Sequence, residues 1–469
     1  MRPTFNFKTL AVAITAISAA SVASAAGLDR SGQDITAFLQ DGLYAEASYT
    51  YIDADVSGKD ASGNKIDDIA ESYDFFRYGV KADINDTFSV GILYDEPFGA
   101  AADYSGDNNF VAQGDRNAVF QDVLANPNIT EEFINTTLVP SLLTKLNPGN
   151  ADDYTSKEIA GAKADYAGIV AATAIADAEE ATTGEGTNVE VRSESITAIL
   201  GMKFGENKNF QVYGGPVAQR IEADVKLRGI AYGPATGYTT HISPEQDYGY
   251  LAGISYSKPE IALKAALTYR SEIDHSAQLI ESYPVAPTVS RGNLPASQGG
   301  IIEITTPKSV NFDFQTGINP TTLVTAKVRY VPWSDFEIVP PLYNDVSKLA
   351  TDDDKGLALV GYDDDQWLVE LGLAKRLSPA LAVSGTVGWD SGAGDPTTSL
   401  GPIEGYYSVG LGAKYNVTES WAVSAGGKYL WFGDAEGQLP TKKIVGNFED
   451  NDGYIVGMKL SYQAQQKFN

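Results

Sequence analysis

The chain of 469 residues contains no cysteine and only two histidines. Without cysteine, no disulfide can rigidify the fold, so closed backbone hydrogen bonding is one way to hold it together. His275 is followed directly by Ser276, and neighbouring residues of a strand point to opposite faces. The two therefore do not form a nucleophile with its base, and we expect no enzymatic activity and no cofactor.

Basic residues are also scarce, because 34 Lys and Arg stand against 61 Asp and Glu for a net charge of -27. This balance argues against nucleic acid as a partner, since phosphates require a basic surface. Two acidic runs, at 352–354 and 363–365, are interpreted as solvated loop tips. The alternative is that divalent cations bridge them to lipopolysaccharide.

Long apolar runs are absent beyond the first residues, so nothing approaches the ~18 residues of a transmembrane helix. At the start, Arg2 and Lys8 precede an apolar run at 10–17, and Ala23-Ser24-Ala25 offers a small-x-small cleavage site. These features predict a signal peptide at 1–25. Export without a helical span leaves a soluble exported protein or a β-barrel.

What the chain does contain is strict alternation. Every odd position from Ile261 to Tyr269 is apolar, whereas Lys264, Arg270 and Glu272 fall on even ones, and 407–415 and 421–431 repeat the pattern. The side chains of the apolar face are small or aromatic, with aromatic residues at the strand ends, and the other face is polar. A soluble sandwich also alternates but does not ring its strand ends with Tyr and Trp. A lipid-facing outside and a polar lumen fit this pattern.

Fourteen such segments predict an all-β fold, a 14-stranded antiparallel transmembrane β-barrel, in which short turns and long loops alternate. The predicted strands lie at 43–56, 73–82, 88–102, 189–204, 210–227, 248–256, 261–272, 301–317, 323–338, 366–375, 381–390, 406–415, 421–432 and 454–462.

Two segments break the alternation. Residues 104–187, between strands three and four, have helical spacing and are interpreted either as a self-packed extracellular cap or as an apolar landing site for a hydrophobic substrate. Residues 26–42 precede the first strand and form either a disordered leader or a plug inside the lumen. The barrel itself then spans 43–469.

The chain resembles the FadL family of outer-membrane long-chain fatty acid transporters. The resemblance rests on four stretches: Tyr51-Ile52-Asp53-Ala54-Asp55-Val56 with Asp83-Ile84-Asn85-Asp86, Ala266-Leu267-Thr268-Tyr269-Arg270-Ser271-Glu272, Trp333-Ser334-Asp335-Phe336, and Gly405 to Gly412. It implies an N-terminal hatch that fills the lumen and a kink in strand three through which lipophiles leave sideways. It also implies an outer-membrane location.

Pro97, Phe98 and Gly99 match that kink. Proline cannot donate to a strand ladder, and Pro or Gly inside a strand marks a bend or an unpaired edge. The alternative is an ordinary strand end that enters the large loop. Two features depart from the family pattern: the hatch is short and lacks Asn-Pro-Ala, and the helical insertion follows strand three rather than a later strand.

A fatty acid needs an apolar tube and a cation for its carboxylate. Arg220 is the first candidate, at a position that matches a lumen arginine of the family. Lys327, Arg329 and Arg270 are further inward cations by parity. The alternative is that these cations pair with lumen acids such as Glu222, Asp224 and Glu272.

The leading hypothesis is passive uptake of a hydrophobic ligand, a long-chain fatty acid, by loop capture, lumen binding and lateral release. The alternatives are a channel for other lipophiles such as aromatic hydrocarbons, and a non-selective porin or surface structural protein. The expected surroundings are outer-membrane lipid and lipopolysaccharide, and the expected state is a monomer.

Overall fold

The computed structural model describes residues 28–149, 153–351 and 353–464, and it is a closed antiparallel β-barrel. Seventeen hydrogen-bonded segments form fourteen strands, because three strands are each interrupted once. The first strand pairs with both the second and the last, which closes the barrel. The predicted signal peptide, residues 465–469 and Asp352 of the first acidic run lie outside the described residues.

The strands are numbered in chain order, and β3, β7 and β8 each consist of two segments. They are β1 Leu43–Asp55, β2 Tyr73–Asp83, β3 Phe88–Asp95 and Gly99–Asp103, β4 Asn188–Phe204, β5 Phe210–Lys226, β6 Thr239–Lys258, β7 Leu263–Arg270 and Ile273–Ser282, β8 Ser297–Thr306 and Ser309–Asn319, β9 Thr322–Val331, β10 Gln366–Arg376, β11 Leu381–Asp390, β12 Glu404–Asn416, β13 Trp421–Gly433 and β14 Asp452–Ala464.

The predicted barrel is confirmed, but three strand limits were wrong. β6 begins at Thr239 rather than at 248, and β9 ends at Val331, because a 3-10 turn at Trp333–Asp335 follows it. β7 is broken after Arg270, and Glu272 is exposed outside the barrel instead of facing the lumen. The end of β9 was missed because proline and turn residues stop the strand there. Glu272 was misplaced because alternation cannot be extrapolated across a strand break.

The lower part of the barrel has an oily outside and a polar inside. Leu411, Trp421 and Trp431 are exposed, whereas Ser424 and Lys428 on the same sheet are buried. Aromatic pairs mark both edges of this band: Phe204 and Phe210 near the short turns, with ring centroids 5.5 Å apart, and Tyr330 and Trp367 near the long loops, 4.7 Å apart. These are the two girdles of a membrane barrel.

Above the upper girdle the polarity of the wall reverses. On β5, Ile221 and Val225 point inward and are buried, whereas Asp224 points outward and forms an exposed pair with His241 at 2.7 Å. Here the outside meets water rather than lipid, so the polar face turns outward, as in a soluble protein. The upper barrel therefore encloses an apolar core, and the membrane-embedded part encloses a polar one.

The segment between β3 and β4 holds helices α1 Arg116–Val123, α2 Glu131–Phe133, α3 Val139–Leu146 and α4 Ser156–Ala181, with a π-helical turn Ile134–Leu138 between α2 and α3. Among the described residues, α4 is long and apolar enough to cross a membrane by length and composition alone, but it packs against α1 and α3. Two further helices follow later loops: α5 Ala286–Val289 and α6 Pro341–Thr351.

The long loops also build a five-stranded sheet and a two-stranded one above the barrel. The first comprises Thr397–Thr398, Ala435–Gln438, Ile444–Phe448, Gly58–Asp60 and Lys65–Ile66, and the second pairs Glu337–Ile338 with Val360–Gly361. Asp60 ties the first sheet to the insertion by accepting a bond from the Asn109 backbone at 2.9 Å.

The segment 28–42 lies inside the barrel. Phe38 is fully buried and packs 5.7 Å from the ring of Tyr213. A Cβ on Gly91 of β3 would lie 2.7 Å from the Phe38 ring, so the absence of a side chain there makes room for this segment. At its lower end Lys264 donates to the backbone carbonyl of Leu39 at 2.8 Å.

Candidate functional site

Strand β3 is interrupted at residues 96–98, and this leaves a gap toward β2. The β2–β3 ladder runs from Asp83↔Ser89 up to Tyr78↔Tyr94 and stops there. Above that point the registered β2 partners lie on β1 alone, up to Tyr73. On its other side β3 stays paired with β4, with one extra residue accommodated at the break.

The N-terminal segment occupies the inner side of this gap. Asp29 forms an isolated bridge with Phe98, the Arg30 amide donates to the Pro97 carbonyl at 2.8 Å, and the Gly99 amide donates to the Leu28 carbonyl at 2.8 Å. Backbone groups freed by the break are thus satisfied by an added strand-like segment, as buried backbone requires.

Arg30 closes the gap with its side chain. Its guanidinium lies 4.2 Å from the ring centre of Tyr73 and is fully buried. Burial lowers the pKa of Arg30 to about 10, and the nearby Tyr73 opposes that effect, so the side chain is cationic at neutral pH. A Cβ on Gly99 would lie 3.1 Å from the Arg30 Nε and 3.0 Å from the Val191 carbonyl oxygen, which explains why a glycine stands there.

Arg329 anchors the same segment and is therefore already partnered. Its Nε and Nη2 donate to the two carboxylate oxygens of Asp29 at 2.7 and 2.9 Å, and Nη1 donates to Asn311 at 2.9 Å. Asn311 also donates to the Gly32 carbonyl at 2.8 Å. This bidentate, buried arrangement is the strong form of an arginine–carboxylate pair, and it leaves Arg329 engaged by the protein itself.

Asp34 adds a second charged contact between the segment and the wall. One carboxylate oxygen lies 3.8 Å from Arg77 on β2, and the Arg77 guanidinium also donates to the Asp34 carbonyl at 3.2 Å. Burial alone raises the pKa of Asp34, but the charges of Arg77 and Lys327 outweigh it and hold that pKa below its usual range. Asp34 is therefore ionised inside the lumen.

Two small cavities meet beside the interrupted strand. The upper one, about 20 Å³, is apolar and is lined in part by Phe98, Ile221, Ile242 and Trp333. The lower one, about 10 Å³, reaches Arg270 and Gln33 and shares Phe98, Thr306 and Pro307 with the first. A water molecule needs roughly 10–15 Å³, so both cavities must widen to admit a lipophile.

Arg270 is the candidate cation that lines the lower of these two cavities. It is 4% exposed, its Nη1 donates to Thr197 at 3.0 Å, and its Nε has no hydrogen-bond partner among the described residues. A buried donor without a partner is costly, so a ligand oxygen at this point would be favoured.

The other predicted cations lie elsewhere. Arg220 was predicted to face the lumen, and this is wrong: it is exposed on the outside of β5, opposite Glu194. The prediction assumed that the polar face of a strand is its inner face. That assumption fails above the upper girdle, where the outer face is in contact with water. Lys327 does point inward, with an Nζ that has no hydrogen-bond partner among the described residues, but it lines a different cavity.

That third cavity, about 660 Å³, lies below the N-terminal segment at the end of the short turns. Its lining includes Asn85, Asn209 and Pro259 from three turns, Leu39 from the segment and Lys327. No residue of the interrupted strand β3 lines it, and its lining mixes charged, neutral polar and apolar side chains. The four candidate cations therefore do not form one site: Arg270 alone of the four lines a cavity beside β3.

Arg30 and Trp333 are functional-site residues that were not predicted. Trp333 is fully buried, donates through its indole to Gln366 at 2.9 Å and stacks edge-on against Phe98 at 5.6 Å. It belongs to a stretch that carries the family resemblance, but nothing in its local sequence places it beside β3. The second acidic run is partnered, since Asp365 accepts from Tyr330 at 2.6 Å and Asp363 from Lys442 at 2.8 Å.

The fold is shared with solved outer-membrane transporters. A Pseudomonas aeruginosa FadL homologue is 12% identical, with 96% of this chain and 97% of that chain covered and a TM-score of 0.62. The Pseudomonas putida toluene transporter TodX is 11% identical over 92% of each chain, with a TM-score of 0.54. The Ralstonia pickettii toluene transporter TbuX is 11% identical over 98% of this chain and 100% of that chain, with a TM-score of 0.52.

A comparison with curated protein sequences gives no match. The model of the family described as "Outer membrane protein transport protein (OMPP1/FadL/TodX)" matches residues 171–464, more than half of the chain. With the closed fourteen-stranded barrel, this places the protein in the outer membrane as a transporter of hydrophobic compounds. The chain belongs to the OMPP1/FadL/TodX family of outer-membrane transport proteins.

Proposed function

We propose that the protein takes up long-chain fatty acids, which bind with the carboxylate at Arg270 and leave sideways beside Pro97, Phe98 and Gly99. The observation that carries this proposal is the buried Arg270, whose Nε lacks a hydrogen-bond partner among the described residues. Arg270 lines a cavity that shares Phe98, Thr306 and Pro307 with an apolar one. An apolar pocket with a few convergent polar groups is the usual form of a ligand site.

Release requires the N-terminal segment to move. Leu28, Asp29 and Arg30 bond to the break in β3 through their backbone and so cover the gap toward β2 from the inside. A ligand chain that enters the apolar cavity displaces Phe98 or this segment, and the gap then opens toward the membrane. The shortened segment 28–42 thus acts as the hatch in this proposal.

A second candidate ligand class is aromatic hydrocarbons. The apolar cavity is lined by Phe98, Trp333 and Phe336, whose rings pack edge to face at 5.6 and 5.4 Å. Such rings offer offset and edge contacts to an aromatic ligand. Two relatives of the same fold are named as toluene transporters.

The decisive experiment compares Arg270→Ala with Arg220→Ala in binding of labelled oleate. Loss of a hydrogen bond to a charged group costs about 1.5–3 kcal/mol, so Arg270→Ala should weaken binding about tenfold or more. Arg220→Ala removes the same side chain from the outer surface and should leave the affinity unchanged.

Unchanged oleate affinity in Arg270→Ala would exclude Arg270 as the head-group site. If the unaltered protein binds toluene but not oleate, aromatic hydrocarbons are the ligand class. Cells that lack the protein provide the background for both ligands.

A further inference from the structure

Strands β6 and β7 are paired in two separate stretches. The lower stretch runs from Leu263↔Lys258 to Arg270↔Leu251, and the upper one from Leu279↔Ile242 to Ser282↔Thr239. Between them, no ladder pair joins residues 243–250 to residues 271–278, all of which the structure describes. These two facing runs are called the seam.

The seam has a geometric cause. Residues directly opposite in an antiparallel ladder point to the same face of the sheet. In β6, the inward-facing positions switch from even to odd numbers at a bulge after Ile242. In β7 they switch from even to odd numbers at the break after Arg270. Eight residues of each strand lie between these two points. Between these points a continuous ladder would pair inward residues of one strand with outward residues of the other. For example, it would pair His275, which is buried, with Gln246, which is exposed. The side chains of the two strands therefore alternate in opposite order, and a regular hydrogen-bonded ladder cannot form between them.

β7 and β8 do not share this defect. Arg270 pairs with Ser309 and Ile273 pairs with Thr306, so both strands change face at the same level and their ladder resumes at once. On β7 the mismatch therefore affects only the side that faces β6.

One backbone bond and two bonds to side chains bridge the seam in place of a ladder. The Ser271 amide donates to the Tyr250 carbonyl at 2.9 Å, the Tyr250 amide donates to the Ser271 hydroxyl at 3.0 Å, and the Ser276 amide donates to the Asp247 carboxylate at 3.3 Å. Pro244 has no amide proton to contribute. These bonds are few and partly to flexible side chains, so the two strands can separate here more easily than in a complete ladder.

The seam connects the lumen to the edge of the membrane. The cavity at Arg270 is also lined by Ser271, Tyr250 and Ile273, and it shares Phe98 with the apolar cavity beside β3. On the outside, the ring of Tyr250 lies 6.0 Å from that of Tyr269 in the upper girdle. The lower end of the seam therefore lies where lipid meets water.

We propose that the seam is a second side portal, distinct from the gap at β3, through which uncharged lipophiles leave the lumen. Its residues include Glu245, Asp247, Glu272 and Asp274, so it disfavours an anionic head group. This inference rests on the proposed function, since it needs a lipophile in the lumen.

The chain has no cysteine, so paired cysteines can close the seam selectively. In the variant Tyr248→Cys with Asp274→Cys, two outward residues that flank the seam are joined by a short bifunctional thiol reagent. The control is Val387→Cys with Val409→Cys, a registered outward pair in the complete β11–β12 ladder. Uptake of radiolabelled hexadecanol and of oleate is measured in cells before and after cross-linking.

Cross-linking the seam should lower hexadecanol uptake at least twofold, and cross-linking the control pair should change nothing. Two results would overturn the portal while the proposed function stands. One is unchanged hexadecanol uptake in the cross-linked seam variant. The other is that the unaltered protein takes up oleate but not hexadecanol. Uptake of neither lipophile overturns both. If the cysteine variant fails to fold, amide exchange of the unaltered protein decides: exchange at 272–278 as slow as at 263–270 would show that the seam is closed by a ladder and overturn the proposal.

Discussion

At the scale of single residues, the partners of each inward cation determine its role. Arg329 is held by both oxygens of Asp29, so it fixes the N-terminal segment. Arg270 instead lines a cavity, and its Nε has no hydrogen-bond partner among the described residues. Both point inward in the same band of the barrel, and alternation alone could not separate them. The distinction depends on where residues some 300 positions earlier in the chain are placed.

Arg329→Met should release the N-terminal segment. The change leaves the Asp29 carboxylate buried without its cation, and removing one partner of a buried pair costs about 3–5 kcal/mol. We expect proteoliposomes with this variant to pass arabinose severalfold faster than those with the unaltered protein, as measured by liposome swelling. Arg220→Met, which alters the outer surface, should not change the rate; if Arg329→Met does not either, the pair does not hold the segment in place.

At the scale of elements, the interruption of β3 depends on two residues. Pro97 cannot donate to a ladder, and Gly99 leaves space for the Arg30 side chain. The N-terminal segment then supplies the missing bonds from inside the barrel. The break and the segment that covers it are therefore one structural unit.

Replacing Pro97 and Gly99 by valine should reduce oleate uptake while binding at the cell surface persists. Strand-forming residues favour continuation of the ladder toward β2, and a valine side chain in place of Gly99 would displace Arg30. Uptake and surface binding are measured with labelled oleate in whole cells, with Pro216→Val on the outside of β5 as the control. Normal uptake in the double variant would show that the break is not the exit.

The helical insertion is tied to a neighbouring loop through Glu179 on α4. This buried carboxylate accepts bonds from the Gln113 amide at 3.0 Å and the Thr236 hydroxyl at 2.8 Å. Burial raises its pKa, and those hydrogen bonds oppose the effect only in part.

A raised carboxylate pKa means that the folded insertion binds the proton more tightly than the unfolded chain does. The resulting stabilisation is complete below the unfolded value, about 4.3, and is lost as pH rises through the folded pKa. Glu179→Gln should therefore make proteolysis of the insertion less dependent on pH between about 4 and 8. An unchanged pH dependence in limited trypsin digestion would mean that another group controls it.

At the scale of the whole molecule, the lumen is filled rather than open. Residues 28–42 cross it, with Ile35, Ala37 and Phe38 buried against the wall. We expect the unaltered protein to pass almost no sugar in liposome swelling, and a variant that lacks 28–41 to pass it freely. Fast sugar flux through the unaltered protein would support the non-selective porin instead.

The sequence by itself determined the barrel, its fourteen strands and, on strands such as β13, the side that faces lipid. It could do so because the side-chain period of a strand is two and a membrane imposes opposite polarities on the two faces. The same rule placed Ser424 and Lys428 correctly inside the barrel.

Only the tertiary structure decided which polar residues form the site. Arg220 lies above the membrane, where water replaces lipid and the polar face turns outward, so the rule that succeeded for β13 failed for β5. The covering of β3 by Arg30, the engagement of Arg329 and the seam between β6 and β7 depend on contacts and registers between distant segments. No local sequence pattern predicts these features. The sequence of a strand shows which of its residues alternate, but not how they align with the residues of the neighbouring strand.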